Sequence, residues 1–152
     1  MNLTLVPASV ILPLRHAVLR PTLPFAAAHI PEDDLPTTIH LAARSDDGDV
    51  LGCASFFPAS LSPADHGSSS DPSPAWALRG MATLDSHRGQ GIGSAVLEAG
   101  VVEVTRRGGR LLWCKGRTAA GDFYRRHGFV ARGEEFDVPV SGPHYVFVRP
   151  LA

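Results

Sequence analysis

Short apolar runs broken by turn-forming residues occupy the first half of the chain, and longer ones with helical spacing appear in the second. "LTLV" at 3–6 has the length of a short strand. The stretch "ASVILPLRHAVL" that follows reads as a helix that Pro13 must kink or begin and Pro21 stops. Apolar runs at 38–43 and 50–57 flank "SDDGD", whose Asp and Gly residues supply turn chemistry, so this region is expected to be an antiparallel hairpin. Residues 58–74, "PASLSPADHGSSSDPSP", have little to bury and are expected to form a mobile surface loop joining two strands. "AWALRGMATL" then reads as a strand. Gly80 in its middle is a cost unless a bulge or a close backbone approach is wanted there.

In 92–107 the residues Ile92, Ala95, Val96, Ala99 and Val102 recur at helical spacing, and Arg106 and Arg107 precede Gly108. This predicts a buried helix. "RLLWC" is a short strand, Thr118 is placed to cap a helix through "AAGDFYRRH", and Gly128 ends it. "FVARGEEFDVPV" and "PHYVFVRPL" make a strand pair around "SGP". The order is a strand and helix, antiparallel strands, two strand–helix units and a closing hairpin, which places the chain in the mixed α+β class.

Composition narrows the picture only a little. The 152 residues suit a single domain over 1–152, with a core that needs neither metal nor disulfide staples. At 44% hydrophobic and 19% charged, with a net charge of −1, the chain has no strong field of the kind that draws nucleic acid or an anionic membrane. The N-terminus lacks a basic start followed by an unbroken apolar run, so a cytoplasmic location is expected. Cys53 and Cys114 lie in apolar runs and read as reduced core side chains. The seven histidines include no H-x-x-x-H pair and there is no C-x-x-C, so no metal is expected.

The chemistry concentrates in "SHRGQGIGSAVL", residues 86–97. A strand, a glycine turn and a helix N-terminus make an anion site, because the first N–H groups of a helix have no partner within it and the helix dipole is positive there. A P-loop would need a lysine and a hydroxyl after its last glycine. A dinucleotide loop would need a third glycine where Val96 stands. The remaining pattern, Arg-x-x-Gly-x-Gly, is met by Arg88, Gly91 and Gly93.

With "LRGMATL" before this loop, "SAVLEAGV" after it, "RTAAGDFYRRHGF" further on and "GPHYVF" near the end, the sequence resembles the GNAT superfamily of acyl-CoA-dependent N-acetyltransferases. The resemblance implies a mixed, mostly antiparallel central sheet with helices on both faces and a splayed strand pair forming the acyl-CoA cleft. It implies acetyl-CoA as co-substrate, with the pyrophosphate on Arg88, Gly89, Gln90, Gly91, Ile92, Gly93 and Ser94. The pantetheine arm falls to Met81, Ala82 and Thr83, and Ala120 and Phe123 line the coenzyme channel. The family's frequent asparagine after the fifth strand is Arg117 here, and Gly116 and Gly121 loosen the start of the later helix.

Acetyl transfer to an amine needs a neutral amine, a stabilised oxyanion and a proton for the thiolate. The resemblance makes Tyr124 the acid; the plainer alternative is a half-buried packing tyrosine. A bulge at or after Gly80 would free an amide for the oxyanion. His144 is the first candidate for a base, ahead of Glu134, Glu135, His40 and Asp34, and Glu134 and Glu135, being adjacent, would point to opposite faces of a strand. A cysteine nucleophile is not expected in apolar strand runs. The expected activity is transfer to a primary amine of a small molecule by direct attack in a ternary complex. Protein N-termini or lysines are the alternative acceptors, and "EDD" at 32–34 and "GEE" at 133–135 hint weakly at a cationic one. A coenzyme A-binding regulatory protein without chemistry is the alternative of another class. The chain is expected to act as a monomer or homodimer, with no nucleic-acid or membrane partner.

Overall fold

A computed structural model describes residues 1–61 and 74–151, so most of the loop expected over 58–74 lies outside the described residues. Its secondary structure runs β1 (Asn2–Leu5), α1 (Ala8–Leu19), β2 (Ile39–Arg44), β3 (Val50–Pro58), β4 (Ala75–Thr83), α2 (Ile92–Arg106), β5 (Leu111–Arg117), α3 (Gly121–Arg126), β6 (Val130–Val138) and β7 (Gly142–Pro150). Strand order is β1-β2-β3-β4-β5-β7-β6, mixed and mostly antiparallel as expected. The chain forms two compact units, Met1–Phe57 with Leu78–Glu103, and Pro58–Ala77 with Val104–Ala152.

In the first unit β2 and β3 form the expected hairpin, with Ile39 opposite Phe56 and Ala42 opposite Cys53. Side chains alternate along β3, and the two faces go to different helices. Cys53 joins Ile11 and Leu14 of α1 in one apolar cluster with Ala42 and Ala82, and Ser55 on the same face bonds Arg15 of α1. On the opposite face a Cβ at Gly52 would stand 2.5 Å from Ile92 of α2, and one at Gly100 of α2 would collide with the ring of Phe56. Helix α1 runs through Pro13 rather than beginning there, and the 3₁₀ turns Phe25–Ala28 and Pro31–Asp34 follow it.

The buried face of α2 differs from the one expected. Val102 is 57% exposed, and the enclosed positions are Ile92, Val96, Leu97, Gly100 and Val104. Both sets keep helical spacing. The bare Cα of Gly100 lets the Phe56 ring approach and favours this face.

In the second unit β4 and β5 pair in parallel over Ala75↔Leu111, Trp76↔Leu112 and Ala77↔Trp113, and β7 pairs antiparallel with both β5 and β6. Thr118 does not cap α3: its hydroxyl donates to Glu135 at 2.8 Å, and Ala120 stands at the N-cap. The helix ends as expected at Gly128. The Phe129 N–H reaches the Tyr124 carbonyl and the Gly128 N–H that of Arg125, the paired bonds of a left-handed C-terminal cap.

Candidate functional site

Strand β4 leads into the glycine loop within the first unit. A 3₁₀ turn, Asp85–His87, precedes Arg88, and Gly89 and Gly91 both stand at φ +79° with open space where a Cβ would be. That backbone puts the head of α2 directly after a left-handed turn, and only glycine adopts it without strain. Ala95 is the first residue whose N–H closes on the helix, at 3.0 Å from the Gly91 carbonyl. The N–H groups of Ile92 and Gly93 ahead of it have no acceptor in the helix, so a 15-residue dipole ends on the loop. Arg88 adds an exposed guanidinium, 3.1 Å from Asp85. Of the three strand residues expected to serve the pantetheine, Ala82 is buried and Met81 and Thr83 are half-buried. Gly80 just before them has φ +67°, so the strand leaves regular geometry where its glycine predicts.

Tyr124 lies in the second unit among aromatic rings. It stacks on Phe147 at 4.8 Å and meets Phe123 and Phe129 edge to face. Gly116 belongs to β5 rather than to a helix start, and it makes room for this ring: a Cβ there would lie 2.5 Å from Cε2 of Tyr124. Burial pushes the Tyr124 phenol well above its ordinary range, and the adjoining Cys114 thiol adds to the shift. Cys114 is itself pushed up to about 12 by burial, partly offset by its hydrogen bond with Tyr124. Cys53 is pushed up to about 11 by burial. Both cysteines are free and buried, as expected, and hold their protons at neutral pH.

The candidate bases separate clearly. His144 is buried, and its Nδ1–H donates to the Gly142 carbonyl at 2.8 Å, which leaves Nε2 as the acceptor nitrogen. Glu134 and Glu135 are exposed and lie where the register of β6 against β7 shifts, between Arg132 and Phe136. His40 is enclosed in a polar network that the sequence reading did not anticipate. Arg15 donates from Nη1 to Asp33 (2.7 Å) and the Ala28 carbonyl (2.9 Å), and from Nη2 to Asp33 (3.2 Å) and Ser55 (2.7 Å). Ser55 in turn lies 2.7 Å from Nδ1 of His40, whose Nε2 faces Asp33 at 3.9 Å.

Burial alone would raise the Asp33 carboxyl, but hydrogen bonds from Arg15 and Ile30 and the Arg15 charge outweigh it and hold the carboxyl below its ordinary range. Burial lowers His40, against the pull of Asp33. The one signal for this network was Arg15 itself, a charge four residues from Ile11 and therefore on the buried face of α1.

The same contacts correct the reading of "EDD". Asp33 is spent on Arg15, Glu32 lies 3.7 Å from Arg79, and Asp34 lies 3.1 Å from His29. Asp33 and Glu32 face guanidiniums and Asp34 a histidine of their own chain, so they no longer point to a cationic acceptor.

A family model described as an acetyltransferase (GNAT) domain matches residues 36–131, a span that holds β4, the glycine loop, α2 and Tyr124. The chain belongs to the GNAT family. The uncharacterized N-acetyltransferase YitI of Bacillus subtilis (strain 168) is 32% identical over 138 residues, covering 91% of this chain and 88% of that protein. Among solved structures, an aminoglycoside 6'-N-acetyltransferase in complex with coenzyme A has the same fold, with a TM-score of 0.76 at 15% identity, covering 100% of this chain and 98% of the other. An acyl-CoA N-acyltransferase from Pseudomonas aeruginosa does so with a TM-score of 0.73 at 19% identity, covering 98% and 99%. As a GNAT protein the chain is an acyltransferase that uses an acyl-CoA and an amine acceptor. Among the described residues no helix is long and apolar enough to cross a membrane.

Proposed function

We propose that this GNAT enzyme transfers the acetyl group of acetyl-CoA to a primary amine of a small molecule. The reading rests on the loop from Arg88 to Ser94, where two left-handed glycines open the head of α2 to an anion. In this reading the loop holds the pyrophosphate, and Met81, Ala82 and Thr83 run along the pantetheine arm. The amine nitrogen attacks the thioester carbonyl carbon; the C–N bond forms, the C–S bond breaks, and the proton lost by nitrogen balances the one gained by sulfur. His144 has a free acceptor nitrogen suited to relay the first proton.

Tyr124 donates to the leaving sulfur. Its raised pKa keeps the phenol protonated throughout the working range, and a free thiol near 8.5 is the stronger acid. Tyr124 therefore stabilises the sulfur by hydrogen bonding as charge develops, while the net proton comes from the amine. Direct attack suits the chain because both thiols are buried and protonated.

Saturating acetyl-CoA is expected to raise the melting temperature. At a hundredfold excess over Kd the gain is about 2.7 kcal/mol, or roughly 5–10 °C for a chain of this size. Absence of any shift at millimolar acetyl-CoA would remove the coenzyme assignment. Release of free thiol across an amine library then identifies the acceptor; thiol release that depends on a protein substrate alone would overturn the small-molecule reading.

A further inference from the structure

Arg15 has five N–H groups, and the contacts given above use four of them. The fifth, on Nε, has no hydrogen-bond partner among the described residues although Arg15 is only 3% exposed, and a buried charged donor left unpaired is costly. It lies against Gly80, where a Cβ would come within 2.6 Å of Nε, so any other residue would press on this N–H. Arg15 and Gly80 both line a cavity of about 70 Å³, together with Arg20, Arg79, Leu19 and Ile30. That volume admits a few non-hydrogen atoms, the size of a carboxylate on a short stem.

The charges of this pocket are unbalanced. Asp33 answers Arg15, and Glu32 faces Arg79 beyond hydrogen-bond reach, at 3.7 Å. Among the described residues the guanidinium of Arg20 bonds a backbone carbonyl, that of Leu19. Three guanidiniums against two carboxylates leave a net positive charge, and a planar guanidinium fork pairs the two oxygens of a carboxylate bidentately. Gly80 is the residue before Met81, so the pocket lining adjoins, along the strand, the segment assigned to the pantetheine arm.

We infer that this pocket holds the carboxylate of the acceptor, which makes the substrate an amino acid or a closely similar amine bearing a carboxylate. The inference rests on the acyltransferase reading and deepens it. Arg79 and Arg20 grip the carboxylate, the Nε–H of Arg15 donates at the base of the pocket, and Leu19 and Ile30 flank the stem.

The test is calorimetric titration of the whole chain, saturated with coenzyme A, with α-, β- and γ-amino acids and with their decarboxylated amines. At least one amino acid is expected to bind tenfold or more tightly than its decarboxylated partner. Arg79→Gln, a half-exposed position outside the coenzyme loop, is expected to erase that difference while coenzyme A affinity stays within about twofold. Arg20→Gln should weaken the same ligands, which guards against an Arg79 variant that misfolds. Equal binding of each pair, preference for the decarboxylated amines, or no binding by any amino acid would overturn the inference. A failed coenzyme A titration would instead strike at the acyltransferase reading.

Discussion

The Tyr124 hydroxyl sits beside the Cys114 thiol, and its ring is held by Phe147 and by the bare backbone of Gly116. Removing the oxygen leaves that packing intact. Tyr124→Phe is therefore expected to lower kcat by about a hundredfold, at the lower end of what a positioned donor contributes, with the KM for acetyl-CoA nearly unchanged. Steady-state rates over pH 6–9 check this, and unchanged kcat throughout would return Tyr124 to a packing role. Gly116 supports the same ring by its missing side chain. Gly116→Ala should push the phenol off its stack and lower kcat without touching a reacting atom; kcat equal to that of the parent chain would show that the ring finds another seat.

At the scale of elements, α2 carries the loop at its head and depends on the contact of Gly100 with Phe56 for its seat on β3. A methyl at Gly100 has no space beside a fully buried ring. Gly100→Ala is expected to cost about 1–3 kcal/mol, seen as a fall of roughly 3–10 °C in melting temperature. In a Phe56→Leu background the same change should cost much less, since the colliding ring atoms are gone, and equal costs in both backgrounds would place the strain elsewhere.

For the whole molecule, buried titratable groups bound the pH range of stability; the thiols, His40 and Asp33 act first, and Tyr124, also raised by burial, adds to the alkaline side only above its ordinary value of 10.0. The two thiols keep their protons to about 11 and about 12 when folded, whereas the unfolded chain loses them near their ordinary value of 9.0. Their contribution is complete below pH 9 and is lost as pH rises, because the unfolded state then binds fewer protons. On the acid side, His40 is held below 6.5 and Asp33 below 3.8, so the unfolded chain takes up protons first and stability falls as pH drops through those values. Melting temperature should be flat from about pH 6.5 to 9 and decline on both sides, and a Cys53→Ala, Cys114→Ala variant should show a shallower alkaline limb. An alkaline limb that begins only above pH 10 would exclude the thiols as its cause.

The local pattern was sufficient wherever neighbouring residues impose the backbone. The hairpin around "SDDGD", the strand–loop–helix of "LRGMATLDSHRGQGIG" and the Gly128 stop follow from turn chemistry and periodicity, and the same motifs carry the family. Only the tertiary structure decided which face of α2 is buried, because Val102 fits the helical period as well as Val104 does and the contact of Gly100 with Phe56 favours the second. It likewise decided the fate of the charges. Arg15, Asp33, His40 and Ser55 are spread over forty residues, and no local rule pairs them, yet burial makes each depend on the others for its hydrogen bonds. The sequence determined the backbone of the glycine loop at the head of α2; the packing of distant segments determined which polar groups are spent and which N–H of Arg15 is left over.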